Sequence, residues 1–336
     1  MKQNQYLLWV SLLSGVAFLG LLNIRLGSEW IPWVAFGESF IDAENIYAPI
    51  LWEFRLPKAF TALLVGGSLG VSGLLMQSLF RNPMAGPFVL GISSGASLSV
   101  ALMLMGSSFL GTLIPGNFGL VGAAFLGSLG VFSIIIWASQ RIRSIMSLLI
   151  FGLMFGSFTG ALVSNLSFFS TSENLQRYIF WGLGNLGGLN SQALTLLGLG
   201  VTVGLLLGLA ALKGLNVFIL GETYAQTAGV ELKKIRLLAV GSCCLLTGIS
   251  TAFVGPIGFV GLAVPHICRM AFRTVDHRIL FPACFFIGGG LLLGCDIIAQ
   301  LPGSNYILPI NGVTSLLGAP VVIWLILKQR KLWNNV

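Results

Sequence analysis

Ionisable side chains inside long apolar runs are where chemistry would reside in this 336-residue chain. Each costs on the order of 3 kcal/mol at the centre of a bilayer, so such a group is kept for ion coupling, for substrate or for structural pairing. Three stand out: Asp296, close to one end of its apolar run, and His266 and Arg269 in another. A proton- or ion-coupled carrier needs paired carboxylates or histidines within its spans, and this sequence lacks them. The simpler reading of each residue is a structural group with its hydrogen bonds satisfied. Cys243, Cys244, Cys268, Cys284 and Cys295 sit in apolar stretches without metal-ligand spacing, and read as small buried side chains. We therefore expect no catalytic set, no metal site and no cofactor bound by this chain. The phosphate-cradling pattern G-x-x-x-x-G-K-[ST] is also absent from the sequence. If ATP drives this protein, the hydrolysing site belongs to another polypeptide.

The polar segment 213–236 is the most informative loop. It carries Gly221-Glu222-Thr223-Tyr224-Ala225, then Gly229, then Lys233-Lys234. A glutamate at the start and a glycine seven residues later predict a short helix with a glycine stop. Two readings stand: an ordinary amphipathic connector, or a rigid helix beneath a membrane that an external motor domain could grip.

The elements that must position these residues follow from composition. Apolar residues make up 56 % of the chain, and its 18 Lys and Arg with 10 Asp and Glu amount to 8 %. Soluble domains carry about a quarter charged residues. That excludes a soluble enzyme, a disordered chain and a secreted disulfide scaffold, and leaves an all-α polytopic membrane protein. Apolar runs predict about ten spans: 6–22, 56–80, 85–105, 118–139, 144–167, 191–212, 236–255, 257–273, 279–299 and 307–327. The first resembles a signal peptide but lacks an obvious small-residue cleavage site, and is read as a retained span. Alternating the loops leaves only Arg25, Arg55, Lys58 and Arg177 on one side and the other 14 of the 18 basic residues opposite them. The positive-inside bias then places both termini in the cytoplasm, and it accounts for the net charge of +8 without nucleic acid. The 44 glycines recur four apart, as at Gly66 and Gly70 or Gly152, Gly156 and Gly160. That spacing lets helix backbones approach closely in lipid, within one subunit or at a subunit interface or gate.

Several ordered motifs together resemble the FecCD family, the membrane subunits of type II ABC importers for iron siderophores, haem and cobalamin. They are Arg55-Leu56-Pro57-Lys58; Gln77 with Arg81-Asn82-Pro83-Met84-Ala85; Leu90-Gly91-Ile92-Ser93-Ser94-Gly95-Ala96; Trp181-Gly182-Leu183-Gly184; Leu220-Gly221-Glu222 with Ala225 and Gly229; Gly258-Phe259-Val260-Gly261-Leu262 with Pro265-His266 and Arg269; Asp276-His277-Arg278; Asp296; and Gly312-Val313-Thr314 with Gly318-Ala319-Pro320. They cover 55–328 in family order, so the whole chain, 1–336, is read as one permease domain, with 1–54 as first span and outer segment.

The resemblance implies a type II importer permease fold of ten helices. It also implies a second copy of the chain or a paralogue, two ATPase subunits carrying ATP and Mg, and an extracytoplasmic binding protein, all at the inner membrane. Gly221, Glu222, Ala225 and Gly229 look like the ATPase-coupling loop. Arg55 and Lys58 look like the basic positions that meet the binding protein, although Gln300 and Ile307 stand where many relatives carry charges. The pathway is placed beside the fifth and tenth spans, at Gly152, Gly156, Ser157, Thr159, Gly160, Asn165, Thr314 and Ser315. Arg141, Arg143 and Ser144 fall at the family's inner gate, where they equally fit positive-inside anchors. The rival from another class is an ion-coupled secondary transporter of a small solute.

Overall fold

The computed structural model describes residues 2–27, 31–39, 45–106, 117–142, 145–301 and 306–333. Its regular elements are helical. Helix α1 spans Lys2–Arg25 and the short α2 Trp33–Glu38; a π-helical stretch, Ile50–Arg55, then runs straight into α3, Leu56–Phe80. Next come α4 (Ile92–Met105), α5 (Asn117–Arg141), α6 (Ile145–Phe168), the short amphipathic α7 (Ser172–Gly182) and α8 (Ser191–Phe218). The chain finishes with α9 (Glu222–Thr227), α10 (Leu232–Val254), α11 (Val260–Phe272), α12 (His277–Ala299) and α13 (Ile310–Trp333). Seven of the segments are long and apolar enough to cross a membrane: those of α1, α3, α5, α6, α8, α10 and α12. The expected third and eighth spans correspond to the shorter apolar helices α4 and α11, and the tenth to the first part of α13, Ile310–Ile323.

Two of those short helices correct the expected boundaries. The span at 85–105 is α-helical only from Ile92, because Pro87–Leu90 makes a 3-10 turn and Gly91 takes a left-handed φ of 74°. The span at 257–273 starts at Val260, after an irregular stretch that begins at Gly255. At 1.5 Å per residue, 13 or 14 residues cover only about 20 Å, so each short helix needs the non-helical lead-in to reach across. Exposed peptide groups are intolerable in hydrocarbon, so such a lead-in must be buried in protein. Asn311 of α13 supplies part of that cover: its Oδ1 accepts from Gly258 N at 3.0 Å, and its own N–H donates to Leu183 O at 3.1 Å. Asn185 N closes the other side on Val254 O at 2.9 Å.

α3 is the axis of the molecule. Its span is 83 % buried, whereas that of α1 is 6 % buried and lies on the periphery. α3 packs on α12 and α10, and glycines set the spacing. A Cβ built on Gly66 would lie 2.3 Å from Gly288 O, and one on Gly288 would lie 2.2 Å from Gly66 O. This backbone-to-backbone contact is what small residues permit where apolar side chains gain nothing by leaving lipid. The five cysteines are free and buried, as their apolar surroundings required.

Candidate functional site

The loop between α8 and α10 leaves the helical body and returns as a separate short helix, α9. Gly221 (φ 122°) and Gly229 (φ 77°) bracket it with backbone angles that L-residues avoid. Between them Ala225 is fully buried and anchors the helix, its carbonyl accepting from Val230 N at 2.9 Å. Thr223, Tyr224, Gln226, Thr227, Ala228 and Gly229 are exposed, and Glu222 is half-buried at the N-terminal end. An acidic side chain in the first turn is favoured by the partial positive charge there. The result is a small, stiff, glycine-bounded helix that offers a polar face with one aromatic ring to whatever lies beyond it.

Next to this loop, the last turn of α3 reaches three other helices. Gln77 Oε1 accepts from Arg269 Nη1 of α11 at 2.6 Å, while Gln77 Nε2 donates to Leu262 O at 3.1 Å. Ser78 Oγ meets His277 Nε2 of α12 at 2.6 Å. Arg81 Nη2 donates to Phe218 O, the end of α8, at 2.6 Å, and its guanidinium lies 4.6 Å from the centre of the Phe218 ring. Pro83 O accepts from His266 Nε2 at 2.9 Å, and Asn82 Oδ1 holds the turn through Met84 N at 2.9 Å. Gln77, Asn82, Pro83, His266 and Arg269, scattered in sequence, are thus one network, with Pro265 buried inside α11. Asp276 caps α12 by accepting from Arg278 N at 2.9 Å, and that bond, followed by Asn216 and the nearby positive charge, draws its carboxyl below its usual value.

Asp296 lies at the opposite end of the molecule. Its carboxylate is buried and takes Lys58 Nζ of α3 at 3.0 Å, Asn23 Nδ2 of α1 at 2.9 Å and Gln300 Nε2 at 2.6 Å. The Lys58 ammonium is therefore already engaged inside the subunit. Arg55 Nη1 donates to Ile24 O and Arg25 O at 3.1 and 3.0 Å, closing the C-terminus of α1. A docking partner at either residue would compete with these contacts. The Lys58 pairing was not legible in the sequence, and neither were the parts played by Asn23, Asn216 and Asn311. Their common signal is an isolated asparagine in an apolar run.

The residues expected along a pathway divide. On α6, Gly152 and Thr159 are buried and Gly156 is half-buried, whereas Ser157, Gly160 and Asn165 are exposed. Ser157 and Asn165 bond back to carbonyls of their own helix, so that face is chemically quiet. On α13, Thr314 is buried and Ser315 half-buried. A cavity of about 270 Å³ opens between α4, α6 and α7, with Ser93, Ser94, Ser97, Thr159 and Tyr178 in its lining. Arg141 is exposed at the end of α5 with its guanidinium 5.9 Å from the Trp137 ring centre. Arg143 and Ser144 lie outside the described residues.

Comparison with known proteins agrees with this arrangement. The model of the FecCD transport family matches residues 15–328. The vitamin B12 import system permease BtuC of Klebsiella pneumoniae is 38 % identical over 336 residues, covering 98 % of this chain and 95 % of its own. BtuC of Escherichia coli (strain K12 / DH10B) is 36 % identical over 331 residues and 98 % of both chains. A solved structure described as an inward-facing metal-chelate type ABC transporter superposes with a TM-score of 0.82 at 26 % identity, over 96 % of this chain and 99 % of that one.

Proposed function

Because the chain belongs to the FecCD transport family, we propose that it is the membrane permease of an ATP-driven importer that moves a cobalamin-like corrinoid inward. In this reading two copies enclose one pathway, two ATPase subunits dock at the end that carries α9, and a binding protein delivers cargo at the end that carries Asp296. The α9 end faces the cytoplasm with both termini. ATP and Mg are used on the ATPase, and the permease switches which side of the pathway is open without making or breaking a covalent bond. The cargo follows the vitamin B12 permeases at 36–38 % identity; ferric siderophores and haem are the alternatives within the family.

The observation that carries the reading is α9: a short helix outside the body, with Ala225 as its buried residue and its polar face exposed. An ion-coupled carrier would need a free carboxylate within its spans, and Asp296 is instead engaged by Lys58. The test is Glu222→Arg, with Gly229→Leu as a second variant. ATPase capture and ATP-dependent uptake of vitamin B12 by vesicles should both be lost; survival of both would refute the coupling role of α9. Uptake by the chain alone without ATP would establish the secondary-transporter reading. Binding of a ferric siderophore instead of vitamin B12 by the partner binding protein would overturn the cargo.

A further inference from the structure

The end of α8, which leads into α9, is gripped from two sides. On one side Arg81 holds the Phe218 carbonyl and lies over its ring. The same guanidinium lies 4.0 Å from where a Cβ on Gly221 would sit, at the threshold of α9. On the other side Asn216 Nδ2 donates to Asp276 Oδ1 at 2.7 Å, and Asn216 Oδ1 accepts from His277 N at 2.8 Å and from Nδ1 at 2.7 Å.

The chemistry of its partners sets the direction of each bond at Asn216. A carboxylate only accepts and a backbone N–H only donates, so the amide of Asn216 can point one way only. Its Oδ1 then requires the proton of His277 on Nδ1. That leaves Nε2 as an acceptor 2.6 Å from the Ser78 hydroxyl of α3, whose one proton is shared between it and Leu74 O at 2.7 Å. Asp276 caps α12 through Arg278 N, a bond in which Asn216 takes no part, so the cap does not explain the asparagine. Nor does backbone geometry explain Arg81: it ends α3 at φ 47°, where glycine is the relaxed choice, yet it keeps a side chain aimed at α8.

We propose that Asn216 and Arg81 are positioning residues for coupling: a clasp that makes the end of α8 one body with the ends of α3 and α12. A displacement of α9 then moves the buried axis of the subunit instead of being absorbed in the turn between α8 and α9. The proposal rests on the coupling reading of α9 for its direction of force, and on the geometry alone for the clasp.

The test uses spin labels on Ile219→Cys, at the end of α8, and Val275→Cys, before α12; both residues are exposed, and the five native cysteines are buried. The distance between labels is measured in the purified permease and in its complex with the ATPase, nucleotide-free and ATP-trapped. With the clasp intact, one narrow distance should persist in all states. Asn216→Asp sets a second carboxylate against Asp276 and should broaden the distribution and make it depend on nucleotide. Asp276→Ser added to Asn216→Asp removes the like-charge pair and supplies a hydroxyl that can accept from Arg278 N while donating to the new carboxylate, so it should restore the narrow distance, which a general loss of packing would not. Arg81→Met, which leaves Asp276 untouched, should broaden it independently if Asn216→Asp does not fold. An unchanged narrow distance in the single variants, or no recovery in the double variant, would overturn the clasp. Failure of the wild-type chain to capture an ATPase would instead overturn the reading of α9, and the distances in the permease alone would still decide the clasp.

Discussion

The two ends of α3 are joined to the rest of the subunit in different ways. At the Lys58 end a single buried carboxylate collects three donors from three helices: Asn23 of α1, Lys58 of α3, and Gln300 at the C-cap of α12. These three donors converge on one carboxylate. At the Gln77 end the joints are distributed: one residue to α11, the next to α12, another to the end of α8. Several of those bonds are neutral or end on backbone carbonyls. A convergent ion pair in a low-dielectric site has little freedom to rearrange, since any displacement leaves a bare charge. Separate hydrogen bonds onto neutral acceptors can be exchanged one at a time at smaller cost than a buried ion pair. The charged end thus suits a pivot and the distributed end suits a lever, and substitutions at the two ends should fail differently.

The largest effect belongs to the charged end. Lys58→Met leaves Asp296 buried with two amide donors and no counter-charge. Removing one partner of a buried pair costs about 3 kcal/mol or more; Lys58 is partly solvated, so the lower figure applies. The thermal midpoint of the purified subunit should fall well below that of the parent. Lys58→Met with Asp296→Asn should recover more than half of the loss, because the neutral amide still accepts from Asn23 and Gln300. An equally unstable double variant would show that packing, not charge, holds this end.

How much of this was legible follows from sequence distance. The α9 helix could be read directly because its determinants are local: a glutamate, a buried alanine and a glycine at each end within nine residues. The ten helical elements could be read because apolar run length is itself the determinant in a bilayer. The short starts of α4 and α11 could not, since continuous hydropathy conceals a break whose backbone groups are capped from elsewhere. The partner of Gly258 is 53 residues away, and that of Asn23 on Asp296 is 273 away. The pairing of Lys58 with Asp296 was hidden for the same reason. As an isolated charge near a span end it looks free for a partner, and only the folded chain brings Asp296 to it.

At the distributed end, Gln77→Leu keeps the shape of the side chain and removes both of its bonds. The guanidinium of Arg269 then loses an acceptor at 2.6 Å. Hydrogen bonds to charged groups contribute about 2 kcal/mol, so the thermal midpoint should fall by less than for Lys58→Met. The loss of ATP-driven uptake should nevertheless be the larger of the two. A variant that loses stability and transport in the same proportion as Lys58→Met would erase the distinction between pivot and lever.

The smallest effect is expected at Asp276, and pH separates it from the others. The folded carboxyl titrates below its ordinary value, held there first by the Arg278 N–H and further by Asn216. A depressed carboxyl contributes stability that is complete above its unfolded value and is lost only as pH falls through the folded one. Asp276→Ala should therefore cost about 1 kcal/mol, the usual worth of an N-cap, and that difference from the parent should stay flat from neutral pH to about pH 4. In stronger acid the parent protonates its own cap and the two proteins should converge. Thermal unfolding of both across that range measures the difference directly. A difference that already shrinks between neutral pH and pH 5 would mean that the cap is released early, and that the lever end is looser than its hydrogen bonds imply.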